Sequence, residues 1–105
     1  MDNFTRIELP KYKGYKNFMI YHDDGIMFKW YCGYAELPED HILYDKQTEF
    51  DDIIQTIDVH GGITFMKDHV IGFDCNHFGD DIVKCNEEYV INEIHKMIDQ
   101  LEDMR

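Results

Sequence analysis

The sequence contains no serine, only two prolines and no apolar run longer than a few residues. The absence of serine excludes a Ser–His–Asp catalytic arrangement. The apolar runs fall far short of the ~20 residues that a membrane-spanning helix needs, and the N-terminal residues lack the apolar centre of a signal peptide. We therefore expect a cytoplasmic protein that does not insert into a membrane.

Cysteine is also scarce, with Cys32, Cys75 and Cys85 as an odd set without CxxC spacing. An odd number without paired spacing does not predict a disulfide framework, and it agrees with a reducing cytoplasm. Cys75 and Cys85 are conceivable as two ligands of a bound group, but free buried thiols are the commoner case.

Basic residues are few: ten Lys and Arg stand against 22 Asp and Glu, which gives a net charge of −12 with neutral histidines. A field of this sign repels phosphate, so nucleic acid and anionic lipid are not expected as direct partners. Aromatic residues make up 14% of the 105 residues and supply enough apolar surface for a folded core. The length predicts a single domain over residues 1–105.

The negative charge is densest in the middle of the chain. Residues 1–35 carry a net charge of +1, residues 36–58 carry −7 and residues 59–105 carry −6. Such a segment is either a solvated surface or a docking surface for a basic groove, as a mimic of nucleic-acid charge would be. The residues assigned to this acidic surface are Glu36, Glu39, Asp40, Asp45, Glu49, Asp51 and Asp52.

A β-hairpin is predicted near the N-terminus. Residues 17–22 and 26–34 are rich in β-branched and aromatic residues, and they flank an Asp-Asp-Gly turn sequence. Further along, residues 48–55 predict one or two helical turns with Thr48 as a cap. The apolar residues of these turns that are expected to face inward are Phe50, Ile53 and Ile54.

A second hairpin is predicted by Gly61-Gly62, since paired glycines adopt positive φ at little cost. Its strands would be residues 56–60 and 63–67. Residues 70–75 predict one more strand, because they are apolar and β-branched.

The C-terminal region predicts an amphipathic helix over residues 87–103. Apolar residues recur there at helical spacing, and Asn86 is the expected N-cap. A single helix of this kind covers one face of a small sheet. The expected fold class is therefore α+β: a small antiparallel sheet of two hairpins and a further strand, covered on one face by the C-terminal helix.

Chemically versatile side chains are densest between positions 58 and 81. Asp58 and His60 alternate along a predicted strand, so their side chains are expected on one face. Imidazole and carboxylate bind Zn, Mn or Fe, and a His–Asp pair is the minimum for general base catalysis. No HxH, HExxH or CxxC motif is present, so a structural hydrogen-bond network is favoured over a ligand site and over a metal or catalytic site. The cluster expected to converge comprises Asp58, His60, Asp74, His77 and Asp80.

Two sequence motifs, IDVHGGITF at residues 57–65 and IGFDCNHFGD at residues 71–80, are the most distinctive in the chain. With Cys32-Gly33-Tyr34 and Glu88-Tyr89-Val90, they resemble a family of small phage and prophage proteins. The resemblance covers about residues 32–100. It implies a phage-encoded accessory protein that acts in the cytoplasm of a bacterial host, and it implies no catalytic residue.

The resemblance and the charge together favour a non-enzymatic protein that binds and inhibits a host factor through the acidic surface, in the manner of an anti-CRISPR protein. The expected partner is a host bacterial protein, with a nucleic-acid-binding defence effector as the leading class. No cofactor and no metal are expected, and the oligomeric state is left open.

Two alternatives remain at this point. One is a module that sequesters a small nucleotide signal, with the base stacked on aromatic rings and the phosphate near glycine amides. The residues expected for that site are Phe65, Phe73, Phe78, Gly61, Gly62 and Gly72. The other is a metal-dependent hydrolase. Its expected residues are Asp58, His60, Asp74 and His77.

Overall fold

The computed structural model describes residues 3–105, and it contains a five-stranded antiparallel sheet and one long helix. The elements are β1 (Asn3–Tyr12), β2 (Tyr15–Asp23), β3 (Lys29–Glu36), a short 3-10 helix (Ile54–Thr56), β4 (Phe65–Lys67), β5 (Val70–Asp74) and α1 (Glu87–Asp103). The strand order is β1-β2-β3-β5-β4, so the last strand of the chain lies between β3 and β4. Within residues 3–105 no helix is long and apolar enough to cross a membrane.

The structure confirms the predicted bounds of the C-terminal helix. α1 follows Asn86, whose side chain accepts a hydrogen bond from the Tyr89 N–H at 2.9 Å and so caps the helix. The helix packs against β3 and β2. Its buried residues are Val90, Ile94, Met97, Ile98 and Leu101. The α+β fold class is therefore confirmed, with a helix on one face of an antiparallel sheet.

The face that α1 covers is set by the register of three strands. Met19, Gly33 and Phe73 are neighbours across β2, β3 and β5, and they lie on this covered face. A Cβ on Gly33 would lie 2.7 Å from both Ile94 Cγ1 and Phe73 Cζ. α1 therefore packs so closely against the sheet at position 33 that there is no room for a side chain there.

The predicted β2–β3 hairpin is confirmed, and an unpredicted strand extends it. β1 pairs with β2 across a tight turn at Lys13 and Gly14. Their φ angles are 50° and 84°, which is typical of a type I′ hairpin turn. The sheet therefore begins with a three-stranded meander.

The second predicted hairpin is wrong. Residues 57–64 form no strand, and β4 pairs with β5 across the intervening two-residue turn. The Asp58 N–H donates to Gln100 Oε1, and the Asp58 carbonyl accepts from Gln100 Nε2, both at 2.8 Å. Because side chains of α1 take the place of a neighbouring strand, Gly61 lies in a turn that does not lead into a hairpin.

The segment over residues 48–55 also differs from its prediction. Ile54 is fully buried, but Phe50 and Ile53 are 77% and 45% exposed. Asp51 Oδ1 accepts hydrogen bonds from the Ile53 and Ile54 N–H groups at 2.9 and 3.2 Å. The inward orientation predicted for Phe50 and Ile53 is wrong. The turn at Asp51 and the short 3-10 helix that follows it direct Ile54 toward the core and leave Phe50 and Ile53 facing outward.

The tip of the β2–β3 hairpin is organised by one carboxylate. Asp24 Oδ1 accepts hydrogen bonds from the N–H groups of Ile26, Met27 and Phe28 at 2.8–3.0 Å. These N–H groups, with Ile26 contributing most, hold the pKa of Asp24 below its ordinary value. An ionised side chain therefore holds the shape of this exposed apolar tip.

We expect the hairpin tip to lose this arrangement only at unusually low pH. Because the folded-state pKa of Asp24 is lowered, its contribution is fully present above the ordinary pKa and is lost as the pH falls through the folded-state pKa. In an NMR titration, the amide resonances of residues 26–28 should shift together with a midpoint below 3.8. Asp24→Asn should abolish the shift, and a wild-type midpoint at or above 3.8 would contradict the assignment.

Candidate functional site

Four side chains with metal-binding or acid–base chemistry meet where β5 ends and α1 begins. Cys75 directly follows β5, Asp80 lies in the next loop, and Cys85 precedes the N-cap of α1. His60 reaches them from the irregular segment before β4, where its N–H donates to Glu93 Oε1 at 2.8 Å. We call His60, Cys75, Asp80 and Cys85 the His–Cys cluster.

His60 lies at the centre of the His–Cys cluster. Its Nε2 atom lies 2.9 Å from both carboxylate oxygens of Asp80 and 3.8 Å from Cys85 Sγ. Its Nδ1 atom lies 2.7 Å from the Tyr89 hydroxyl oxygen. One potential ligand atom from each of His60, Cys75 and Cys85 lies within 4.8 Å of the other two. The imidazole is therefore held on one side and faces the acid and the thiols on the other.

Burial sets the charge state of the His–Cys cluster. Both cysteines are buried, and burial raises the pKa of each thiol. Burial also acts to raise the pKa of Asp80, but hydrogen bonds from His60 and from the His77 N–H outweigh it and leave that pKa below its ordinary value. The cluster thus combines an ionised carboxylate with two neutral thiols, and neutral thiols are poor nucleophiles.

Asp74 and His77 form a second pair beside the cluster. His77 Nε2 is buried and lies 3.2 Å from Asp74 Oδ1, although the two groups are not aligned as a hydrogen bond. The His77 and His60 ring centroids are 6.1 Å apart. The His77 ring also occupies the space above Gly61, where a Cβ would overlap Nε2. The structure thus brings four of the five predicted cluster residues into one region.

Asp58, the fifth, lies elsewhere. Its side chain is 84% exposed, and Oδ2 lies 3.4 Å from Lys96 Nζ on α1. The prediction that Asp58 shares a sheet face with His60 is wrong, because this segment is not a strand. The four residues expected for a hydrolase therefore do not converge. Cys75 and Cys85 lie beside His60 instead. The sequence allows them as two ligands but favours free buried thiols, because they lack CxxC spacing.

The acidic surface has few internal partners. Asp40 pairs with Arg105 at 2.6 Å, and Asp51 pairs with Lys46 at 2.9 Å. The other five carboxylates form no ion pair with any residue in the described range 3–105. They are Glu36, Glu39, Asp45, Glu49 and Asp52. Most of this charge is therefore available to a partner.

Apolar side chains are interleaved with these carboxylates along the chain. Ile42, Phe50 and Ile53 are 61%, 77% and 45% exposed. A protein-binding surface typically combines an exposed apolar patch with a polar rim. The acidic surface is therefore a mixed surface, which sequence reasoning missed because it placed Phe50 and Ile53 in the core.

The aromatic residues expected for a nucleotide site are dispersed. Phe73 is in the core, Phe65 lies on the opposite face of the sheet, and Phe78 is fully exposed. Phe65 packs edge-on against Tyr34, whose ring covers Gly72. The three phenylalanines therefore form no common stacking surface.

The resemblance to phage and prophage proteins stays a prediction. Comparison with protein-family models, with curated proteins and with solved structures finds no match for this chain in any of the three.

Proposed function

We propose that this protein is a non-enzymatic inhibitor that docks its acidic surface on a basic, nucleic-acid-binding surface of a bacterial host protein. The observation that carries the proposal is the exposure of Phe50 in a segment whose carboxylates are mostly unpaired. The setting, a bacterial cytoplasm during phage infection, comes from the sequence resemblance. A host defence effector of the CRISPR type is the partner class that fits it.

The exposed apolar side chains supply the anchors for binding. Phe50 is 77% exposed in the free protein, so most of its ring is available for burial against a partner. Truncation of a central aromatic anchor in an interface typically costs about 2 kcal/mol or more. Ile42 and Ile53 add apolar area on the same segment.

The carboxylates supply attraction and orientation. Residues 36–58 carry a net charge of −7, which attracts a basic surface before contact is made. Surface carboxylates can occupy the positions that phosphates take in a basic groove, and this complementarity selects nucleic-acid-binding partners over others. The carboxylates thus guide the encounter with the partner, and the exposed apolar side chains then anchor the complex.

The chemistry of the His–Cys cluster supports a non-enzymatic role. Its thiols are buried, and its carboxylate is already hydrogen-bonded to His60. Such a cluster joins chain segments and offers no reactive group to a substrate.

The test compares two double variants with matched chemical changes. Phe50→Ala with Glu49→Gln alters the acidic surface, whereas Phe78→Ala with Glu88→Gln removes an exposed phenylalanine and the same charge elsewhere. Each protein is immobilised and exposed to bacterial lysate. We expect wild type and the second variant to retain a nucleic-acid-binding protein, and the first variant to retain it at least about tenfold less.

The retained protein should be released by added nucleic acid and by rising salt, because both compete for the basic groove. Equal capture by the two variants would overturn the proposal. A complex whose affinity does not change with salt would overturn the charge-mimicry mechanism with it.

A further inference from the structure

The His–Cys cluster has the donor types and the spacing of a zinc site. A tetrahedral Zn²⁺ ion with bonds of ~2.3 Å to sulfur and ~2.0–2.1 Å to nitrogen separates these ligand atoms by about 3.5–3.8 Å. The distance between His60 Nε2 and Cys85 Sγ is 3.8 Å. With Cys75, the three donor atoms lie within 4.8 Å of one another. The spacing of His60 and Cys85 already fits tetrahedral zinc, and small side-chain adjustments bring Cys75 into the same arrangement.

Asp80 lies on the same side of the imidazole, beside but not within the set of three donor atoms that all lie within 4.8 Å of one another. A shift of its carboxylate toward the sulfur atoms completes the donor set. Both of its oxygens are 2.9 Å from His60 Nε2, and the His77 N–H orients the carboxylate by donating to Oδ2 at 3.0 Å. On the other side, the Tyr89 hydroxyl lies 2.7 Å from His60 Nδ1. The ring proton that Nε2 donates to Asp80 has to move to Nδ1 when Nε2 binds a metal, and the Tyr89 hydroxyl can accept it there. A partner of this kind orients a metal-bound histidine and fixes its tautomer.

We propose that His60, Cys75, Asp80 and Cys85 bind Zn²⁺ in a closed, structural site. On binding, the two thiols release their protons to solvent and become thiolates, while the imidazole binds as the neutral ring and the carboxylate stays ionised. Thiolate and imidazole donors select zinc over Mg²⁺ or Ca²⁺. Four protein ligands in a largely buried site leave no coordination position for a substrate, which is typical of structural rather than catalytic zinc.

The ion joins three segments that are distant in sequence: residues 57–64, the end of β5 and the start of α1. Because zinc binds the folded arrangement of these segments, it raises the melting temperature by an amount that grows with the logarithm of the zinc concentration divided by its Kd. A disulfide between Cys75 and Cys85 is the competing arrangement. The experiment therefore also determines whether the two cysteines are reduced or oxidised.

The experiment uses the untagged full chain, purified with a thiol reductant from cells grown with zinc. Elemental analysis should find about one zinc ion per chain. Removal of zinc by a chelator should lower the melting temperature, and added Zn²⁺ should restore it. Titration of the metal-free chain with Co²⁺ should give the intense visible bands and the thiolate charge-transfer band of tetrahedral cobalt with sulfur ligands.

Cysteine variants separate the site from a general effect of thiols. Cys75→Ser and Cys85→Ser should each weaken Co²⁺ binding at least about tenfold. Cys32→Ser, which changes a buried cysteine outside the His–Cys cluster, should leave it unchanged. Circular dichroism shows whether each variant is folded. If a variant does not fold, the cobalt spectrum of the wild-type protein still shows whether the site binds metal through sulfur.

Three results would overturn the proposal. The first is wild-type protein with no bound zinc and no tetrahedral cobalt spectrum. The second is metal that is retained by Cys75→Ser and Cys85→Ser. The third is a Cys75–Cys85 disulfide that persists in the presence of the reductant.

Discussion

Replacing Phe73 with alanine is expected to lower the free energy of unfolding by about 3–5 kcal/mol. The Phe73 side chain is 1% exposed and lies on the sheet face that α1 covers, so its loss leaves a cavity between sheet and helix. Urea denaturation followed by circular dichroism measures the change. If the alanine variant does not fold, Phe73→Leu should show a smaller loss of the same sign, because it removes fewer atoms.

Phe78→Ala is the matched control, since the same side chain is removed from a fully exposed position. Its effect should stay within about 0.5 kcal/mol of zero. Comparable losses for the two variants would contradict the placement of Phe73 in the core and of Phe78 in solvent.

Gly33→Ala is expected to lower the free energy of unfolding by about 2–3 kcal/mol, a large effect for one methyl group. The added Cβ would lie 2.7 Å from Ile94 Cγ1 and from Phe73 Cζ, so the helix or the ring has to move away from the sheet. The same denaturation experiment measures this change.

A double variant identifies the contact responsible. Leucine at position 73 lacks the outer ring atoms that the new methyl group would meet. Gly33→Ala combined with Phe73→Leu should therefore be less destabilised than the sum of the two single changes. Strict additivity would mean that the methyl group fits without meeting Phe73, against the close approach described above.

Elements with a strong local signal could be predicted from the sequence. α1 combines helical spacing of apolar residues with a capping Asn86, and the β2–β3 hairpin combines aromatic segments with an Asp-Gly turn. In both cases the deciding residues are neighbours in the chain. β1 has no such signal, because it is an edge strand whose most buried residues, Ile7, Leu9 and Tyr12, are only partly buried.

The site depends on contacts between distant residues, and sequence reasoning reached only part of it. The sequence places His60 and Asp80 in one cluster, and in the structure a hydrogen bond joins their side chains. Asp58 was placed with them by strand alternation, but Gln100, 42 positions away, holds its backbone in another conformation. The approach of Cys75 to Cys85 follows from the course of the loop between them, which no local pattern describes.

The hydrogen bonds from α1 to Asp58 and His60 also set the order in which the chain can fold. The β1–β2–β3 meander is built from contacts between neighbouring segments, so it can form early, while synthesis continues. Asp58 and His60 have to wait for Gln100 and Glu93, which the ribosome adds 42 and 33 residues later. The segment between the acidic surface and the His–Cys cluster therefore reaches its folded conformation only when α1 docks. A nascent chain that lacks α1 does not yet have this conformation.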